Sequence, residues 1–459
     1  MLIRLIIAAL ALVLCCAPQV AADEKVPAWA QQWIDWAQST NNPEFIEWSK
    51  KISTPKAIQL GNEWEEFLGY NAVDIVAKDK TAPNIKPGLV ITPENVDQYE
   101  SELRELLPYG FDYNVDRLKQ TGYNTPLEMV IVPTHHAYQD RGYLEATKKY
   151  AKNCKLDDKG NLQGWVAGIP FPHPTSGVEM AHNYDRLTIM ADNLNSSPCE
   201  FGLHGSNGKR ERVEKIELHW RNYQGRIKVD PFPNIPGKED VLEKGSIVAL
   251  YPYDLRGFAA VRTRFKADDV EDSFVTYIPS MRRIRRLAGS NTQDPLVGSD
   301  LTWEDWKGWW SKMSQHDTTY EVIDEVVMLC PSFNPLPVQF KDKYGGWNHR
   351  YQWERRPVWV LKFTYNDPNY IYKHRIWALD KEGFHPRMLI YNDAKGRFWK
   401  YFNIHWRFNP DEGETDYWGG TMVDVINKHM SILVHTVVLN MTNITENLFN
   451  LRYLSSKAH

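Results

Sequence analysis

Residues 356–406 read RPVWVLKFTYNDPNYIYKHRIWALDKEGFHPRMLIYNDAKGRFWKYFNIHW, and this stretch indicates the fold class. Four runs rich in aromatic and β-branched residues alternate with the short polar stretches NDPN, DKEG and NDAKG. Aromatic and β-branched side chains favour strands, and turns of this chemistry join antiparallel neighbours. The stretch therefore predicts a β-meander of consecutive antiparallel strands.

Strand-like runs continue on both sides of this meander. KIELHWRNY, SIVALYPY, GFAAVRTRF and SFVTYIP precede it, and YWGGTMVDVIN and HMSILVHTVVLNMT follow it. Together these runs predict an antiparallel sheet of roughly eight to ten strands in the second half of the chain.

The first residues have the pattern of an export signal. Residues 1–22 combine Arg4 with an apolar run and small residues, which predicts a secretory signal peptide cleaved after Ala22. Neither Cys15 nor Cys16 follows the small residue that a lipid anchor requires, so lipid anchoring is disfavoured. An uncleaved membrane anchor is the alternative. Export predicts a periplasmic protein.

The rest of the chain divides into two predicted regions. Residues 23–84 predict a helical, loop-rich N-terminal extension, because Trp29, Trp33 and Trp36 recur at helical spacing. Residues 85–459 predict a single domain that contains the sheet.

Charge excludes one class of partner. The chain has 54 basic and 58 acidic side chains, and removal of the signal peptide leaves 53 and 58, a net charge of −5. A mildly acidic exported protein is a poor general nucleic-acid binder.

Three cysteines remain after the predicted cleavage. In an oxidising compartment Cys154 and Cys199, both in polar sequence, are the preferred disulfide pair, which leaves Cys330 over. Three free thiols are the alternative.

Recognised catalytic and metal motifs are missing from the sequence. It contains no H-E-x-x-H, G-x-S-x-G or G-x-G-x-x-G pattern, and no histidine pair has the spacing of a known metal site. We therefore predict no catalytic residue, no metal and no cofactor. Because sequence alone does not pair two carboxylates across a cleft, an exported hydrolase stays as an alternative.

The stretch YIPSMRRIRRLAGS, residues 277–290, concentrates four arginines in five positions. As a helix it would gather three apolar residues on one side, whereas a strand would alternate its side chains between two faces. Its place between SFVTY and GSDLTWEDW favours a strand that leads into a loop. Arg283 and Arg285 would then share one face and Arg282 and Arg286 the other, and either pair could face inward.

Tryptophans cluster just after this stretch, in TWEDWKGWW. Trp303, Trp306 and Trp310 fall at i, i+3 and i+7, which predicts a short helix with one apolar face. The helix would cover the open face of the sheet, with its indoles either buried in a core or in contact with a lipid-like ligand.

Three blocks in this order resemble a known bacterial family. They are MVIVPTHHAYQDRGYLEATKKYAKNCKL (129–156), GWVAGIPFPHPTSGVE (164–179) and FVTYIPSMRRIRRLAGSNTQDPLVGSDLTWEDW (274–306). They are similar to blocks of domain-of-unknown-function family 1329, which is outer-membrane lipoprotein-sorting-like. The resemblance covers about residues 85–440.

The resemblance implies an α+β fold, with a strongly curved antiparallel half-barrel sheet around helices and an apolar cavity. It further implies a periplasmic carrier of a hydrophobic or lipid-like molecule. Such carriers work beside an inner-membrane exporter of the resistance–nodulation–division type and an outer-membrane barrel. Sheltering an apolar chain from water needs a cavity and no covalent chemistry. A scaffold that binds no ligand is the alternative.

On this interpretation the cavity rim and lid consist of Tyr277, Arg282, Arg283, Arg285, Arg286, Asp300, Trp303, Asp305 and Trp306. The arginines would hold an acidic head group or pair with Asp300, Glu304 and Asp305 across the lid. Alternatively they form only surface ion pairs, which contribute little.

Overall fold

The structure, a computed structural model, describes residues 26–119, 128–187, 191–287, 292–313, 317–333, 339–341 and 348–457. The predicted signal peptide, residues 1–22, and residues 288–290 of the arginine-rich stretch lie outside the described residues. The described chain has the predicted α+β fold, a large curved, unclosed sheet with helices packed on it.

Helices dominate the N-terminal region, as predicted. The α-helices of the described residues are α1 (Ala28–Thr40), α2 (Pro43–Ile52), α3 (Pro55–Leu68), α4 (Ala72–Lys78), α5 (Val96–Glu105), α6 (Tyr113–Lys119), α7 (Arg141–Tyr150), α8 (Gly177–Arg186) and α9 (Leu451–Lys457). Side chains of Asn42, Thr54 and Asn71 accept hydrogen bonds from the first turns of α2, α3 and α4. These N-caps satisfy backbone donors that a helix start leaves free.

Strands make up most of the remainder. They are β1 (Val90–Ile91), β2 (Glu128–Ile131), β3 (Lys155–Leu156), β4 (Leu162–Gln163), β5 (Asn193–His204), β6 (Arg210–Asn222), β7 (Val241–Tyr251), β8 (Ala259–Phe265), β9 (Ser273–Ile278), β10 (Arg283–Leu287), β11 (Thr318–Pro331), β12 (Gln339–Lys341), β13 (Asn348–Tyr365), β14 (Tyr372–Asp380), β15 (Pro386–Asp393), β16 (Phe398–Asn409), β17 (Glu414–Asp424) and β18 (His429–Leu439).

Sixteen of the described strands form one sheet, and β3 and β4 pair separately. The main path runs β1-β2-β13-β14-β15-β16-β17-β18-β5-β6-β7-β8-β9-β10, with β11 and β12 also paired to β13. The predicted meander is confirmed, since β13 to β16 are consecutive antiparallel neighbours. The sheet exceeds the predicted eight to ten strands because six further strands add to it: β1, β2 and β5 from earlier in the chain, and β10, β11 and β12 from the middle.

Both faces of the C-terminal half of the sheet are covered. On β13, Trp359, Leu361 and Phe363 belong to the larger apolar core, whereas Val358 and Val360 pack with α5 and α6 in a second core. This follows from the period of two in a strand. It also explains why the sequence of these strands is apolar on both sides. We call the face that carries Trp359, Leu361 and Phe363 the inner face.

Candidate functional site: a tryptophan segment on the inner face

Residues 292–313, the tryptophan segment, cross the inner face of the sheet. Trp303 packs on Phe274 of β9 with ring centroids 4.7 Å apart, and Trp310 lies 4.9 Å from Trp220 of β6. Trp309 contacts Trp377 of β14 at 5.7 Å. One short segment therefore touches strands from both halves of the sheet.

The predicted amphipathic helix at TWEDWKGWW is wrong in form. The structure has a 3₁₀ turn at Trp303–Gly308, broken by extended backbone at Trp306 and a left-handed conformation at Lys307 (φ 50°). Gly308 follows with φ 89°, a conformation that favours glycine. Because the turn breaks, the indoles spread over several strands instead of lining one helix face.

Asp305 attaches the tryptophan segment to β14 through hydrogen bonds. Its carboxylate accepts hydrogen bonds from the Tyr372 hydroxyl (2.7 Å) and from the Arg375 guanidinium (2.9 Å), and all three side chains are buried. Burial opposes the charge on Arg375, but the surrounding tyrosines and Asp305 raise the pKa of Arg375 well above its ordinary value. Such a bond between charged groups in the interior is strong and directional.

A second polar attachment lies at Asp300. Its carboxylate accepts hydrogen bonds from Nδ1 of His429 (2.7 Å) and from the Ser431 hydroxyl (2.6 Å), both on β18. The backbone oxygen of Asp300 also accepts from the Lys400 ammonium at 2.7 Å. The hydrogen bond to Asp300 raises the pKa of His429 against the effect of burial.

Ser431, His429 and Asp300 do not have the arrangement of a hydrolase triad. A nucleophilic serine needs a histidine that accepts its proton, with the carboxylate on the far side of the ring. Here Ser431 and His429 both bind Asp300 directly, and no hydrogen bond joins Ser431 to His429 in the described structure. The group is suited to holding the segment on β18.

The predicted pairing of the arginines with Asp300, Glu304 and Asp305 is wrong. Asp300 and Asp305 have the partners given above, and Glu304 accepts hydrogen bonds from Tyr370 (2.6 Å) and from Thr292 (2.5 Å). The three carboxylates bind these hydrogen-bond donors and not the arginines of β10. A buried carboxylate without such partners would be unfavourable.

The arginine-rich stretch is an exposed edge strand, β10. It pairs only with β9 among the described strands, and Arg283, Arg285 and Arg286 are exposed. Arg282 lies in the turn before it, with φ 50°. Charged side chains on an edge strand discourage pairing with another chain.

Register with β9 decides which arginines face inward. Arg285 lies opposite Thr276, two residues from Phe274, which packs on Trp303. Because directly opposite residues share a face, Arg283 and Arg285 are on the inner side and Arg286 is on the outer side. Tyr277 is also on the outer side, where it packs near α9.

A narrow apolar crevice lies between the tryptophan segment and strands β6 to β9. It holds about 380 Å³ of atom-free space, counted to its open mouth. Its walls are mostly apolar and include Trp303, Trp306 and Trp310 of the segment, with Trp220 and Phe274 of the sheet. Apolar walls of this kind favour an apolar ligand group.

The histidines of the Pro-Thr-His-His block serve a different purpose. Nδ1 of His135 lies 3.0 Å from Glu354, and its Nε2 accepts a hydrogen bond from the Trp48 indole at 3.0 Å. His136 donates to Glu382 at 2.6 Å, and Glu382 raises the pKa of His136 although burial opposes the charge. These buried pairs join the N-terminal helices to the sheet.

The predicted disulfide between Cys154 and Cys199 is wrong, and Cys154, Cys199 and Cys330 are free thiols. The sulfur of Cys154 donates to the backbone oxygen of Tyr150 after α7, while Cys199 is buried on β5, 3.9 Å from Nε2 of His435. Polar sequence around Cys199 suggested a loop, but that sequence forms a buried strand.

The described residues hold neither a grouped set of metal ligands nor a helix suited to a membrane. No three histidine, cysteine or acidic side chains there are grouped to hold a metal ion. In the same part of the chain, no helix combines the length and apolar character needed to cross a membrane.

The unclosed antiparallel sheet, with the tryptophan segment on its inner face, defines a class of α+β protein. The chain belongs to the family described as "Protein of unknown function (DUF1329)", whose model matches residues 90–451. The family resemblance predicted from the sequence is thereby confirmed. No curated protein matches the chain.

Similar solved structures include three bacterial proteins. A DUF1329 family protein from Desulfovibrio piger has 13% identity and a TM-score of 0.43, covering 61% of this chain and 95% of that one. A domain assigned to outer membrane lipoprotein sorting, from Vibrio parahaemolyticus, has 17% identity and a TM-score of 0.40, covering 57% and 91%. A LolA superfamily protein from Nitrosomonas europaea has 12% identity and a TM-score of 0.39, covering 61% and 100%.

Proposed function

We propose that the protein is a periplasmic carrier that shelters the apolar part of a hydrophobic or lipid-like molecule. The observation that carries the proposal is the apolar crevice beneath the tryptophan segment. Exposing an acyl chain to water costs roughly 0.8 kcal/mol of free energy for each CH₂ group. Movement through an aqueous compartment therefore requires such a shelter. The amino-terminal apolar run supports export to the periplasm.

The tryptophan segment also supports a carrier that opens and closes. As it stands, the crevice admits little more than a group the size of a water molecule, far less than a small-molecule site requires. The indole rings of Trp303 and Trp306 contact the sheet through dispersion and apolar burial. Such contacts lose less energy on a small displacement than hydrogen bonds do. A larger cargo would enter by moving Trp303 and Trp306 outward, and it would stabilise that open form by binding to it.

The neighbours in this function are part of the same proposal. The carrier would work beside an inner-membrane exporter of the resistance–nodulation–division type and an outer-membrane barrel. A scaffold that binds no ligand is the competing function. Mass spectrometry of solvent extracts from protein purified from its native host separates the two functions. Near-stoichiometric hydrophobic compound supports the carrier, whereas empty protein that co-purifies with membrane proteins supports the scaffold.

Binding of the neutral apolar dye N-phenyl-1-naphthylamine tests the crevice directly. We expect saturable binding with quenching of tryptophan fluorescence, and at least tenfold weaker binding by Ala260→Phe, because Ala260 lines the crevice. Ala77→Phe, on the exposed side of α4, adds the same ring elsewhere and serves as the control. Equal binding by the two variants would show that the dye site is not the crevice.

A further inference from the structure

A second, polar hollow shares the side chain of Trp220 with the apolar crevice. It holds about 370 Å³ of atom-free space to its mouth. Asp185, Arg186, Glu243 and Lys307 are among the residues that line it. A molecule with an apolar part in the crevice could therefore place a polar group beside the same indole.

The charged side chains around this hollow are paired, and Lys307 is the exception among the described residues that line it. Four cations and four carboxylates pair with one another at nitrogen–oxygen distances of up to 3.6 Å. They are Arg186, Arg262, Arg264 and Lys312 with Asp185, Glu243, Asp268 and Asp272. Lys307 lines the hollow beside them without an ion pair to any described residue.

Lys307 is buried, with 3% of its surface exposed. Its ammonium lies 5.4 Å from the ring centre of Trp220 and 5.7 Å from that of Tyr184. Within the described chain this nitrogen has neither a hydrogen bond nor a carboxylate at ion-pair distance. A buried ammonium without a counter-ion is unfavourable, and burial lowers the pKa of Lys307.

A second donor at the same hollow also has no partner. Nε of Arg186 is buried and makes no hydrogen bond, although the terminal nitrogens of Arg186 pair with Asp185 and Asp268. Buried polar groups are nearly always satisfied in folded proteins, so the unpartnered ammonium of Lys307 beside this Nε favours an acceptor that binds in the hollow.

We propose that this hollow holds the anionic head group of the carried molecule, a carboxylate or a phosphate, between Lys307 and Arg186. The cargo is then an amphiphile whose apolar chain occupies the crevice. This inference rests on the proposed carrier function, because it assigns the head group of the same cargo. A single anion in the hollow would give the Lys307 ammonium a counter-ion and accept a hydrogen bond from it, with Arg186 beside it.

Calorimetric titration of the full-length mature protein with matched ligands tests the inference. Laurate and dodecanol share a twelve-carbon chain and differ in the head group, and acetate and inorganic phosphate supply the anions without the chain. We expect laurate to bind at least tenfold more tightly than dodecanol. We expect both free anions to bind more than a hundredfold more weakly than laurate.

Variants locate the head group. Lys307→Met should bind dodecanol like the wild type and lose the preference for laurate, so dodecanol binding also reports that the variant is folded. Arg283→Met removes an exposed inward-facing cation of β10 and should keep the preference. If Arg283→Met loses the preference and Lys307→Met keeps it, the head group lies at the sheet edge and the inference is overturned.

The other outcomes are equally decisive. Equal binding of laurate and dodecanol by the wild type overturns the head-group site and leaves the carrier function standing. Binding of free phosphate or acetate as tight as that of laurate identifies a site for a small anion and overturns the amphiphile. If neither twelve-carbon ligand binds, the carrier function and the inference fail together.

Discussion

The two halves of the sheet hold different parts of the tryptophan segment. The C-terminal half, β13 to β18, binds its middle through buried polar groups, with Arg375 and Tyr372 on Asp305 and with His429 on Asp300.

The N-terminal half, β6 to β9, packs indole and phenyl rings against the segment, with the crevice between them. Its buried polar bonds lie at the end of the segment, where Arg262 donates to the backbone oxygen of Trp310 (2.6 Å) and the Trp310 indole donates to Glu243 (2.7 Å).

The difference has a physical consequence. A buried charged hydrogen bond is lost almost entirely when its partner moves by an ångström or two, so these bonds fix the segment at Asp300, Asp305 and Trp310. Ring packing has no strict direction and loses energy gradually with distance. The protein thus fixes the segment at these three residues, and ring packing at Trp303 and Trp306 borders the space left for a ligand.

The largest expected effect on stability comes from removing Arg375, the cation that binds Asp305. Arg375→Met leaves Asp305 buried without its charge partner, and we expect the free energy of unfolding to fall by about 3–5 kcal/mol. Denaturant unfolding measures it. Arg283→Met, on exposed β10, should change it by less than about 0.5 kcal/mol. A loss below about 1 kcal/mol for Arg375→Met would show that Asp305 does not anchor the segment.

A smaller effect on stability is expected at Gly308, in the turn that follows Asp305. Gly308 has φ 89°, and a Cβ there would lie 2.7 Å from Cδ1 of Ile404. Gly308→Ala should lower the free energy of unfolding by about 1–3 kcal/mol through backbone strain and this clash. Gly396→Ala is the matched control, because Gly396 has φ 80° and a Cβ there would meet no atom within 4 Å. Equal losses for the two variants would assign the whole effect to the backbone.

The smallest effect depends on pH. His429 is neutral in the unfolded chain above about pH 6.5, while Asp300 raises its pKa in the folded state. Its contribution to stability is therefore fully present below about pH 6.5 and is lost as the pH rises through the folded pKa. We expect His429→Gln to cost no more than about 1 kcal/mol at low pH, given the partial exposure of the ring.

Thermal unfolding of wild type and His429→Gln, compared near pH 5.5 and near pH 9, tests that direction. The gap between the two proteins should be larger at the lower pH. A gap that grows with pH would mean that the Asp300 pair does not hold a charged histidine.

Local patterns predicted the sheet well and the site poorly. The β13–β16 meander follows from alternating apolar runs and polar turns, which act over a few residues. Tyr372 and Arg375 are three residues apart, so strict alternation puts them on opposite faces. A register shift between Tyr372 and His374 lets both reach Asp305. The sequence signal for this site was a charged residue, Arg375, directly before the apolar residues 376–379 of β14.

Even a clear helix signal was displaced at its start. Thr92 and Pro93 are residue types that favour the first positions of a helix, but α5 begins at Val96, and the side chain of Asn95 accepts from the backbone N–H of Thr92 in a turn before it. Local capping residues compete with one another, and the surrounding contacts select between them.

The sequence by itself determined the fold class, the family, the N-terminal helices and the strand assignment of the arginine-rich stretch. These depend on periodicity, turn chemistry and motif order, which are local or directly readable. Only the tertiary structure decided that Arg283 and Arg285 face inward, that Cys199 is buried away from Cys154, and that Lys307 has no ion-pair partner among the described residues. Those properties depend on strand register and on contacts between distant residues, and a charge is paired or unpaired only with respect to the groups that folding brings around it.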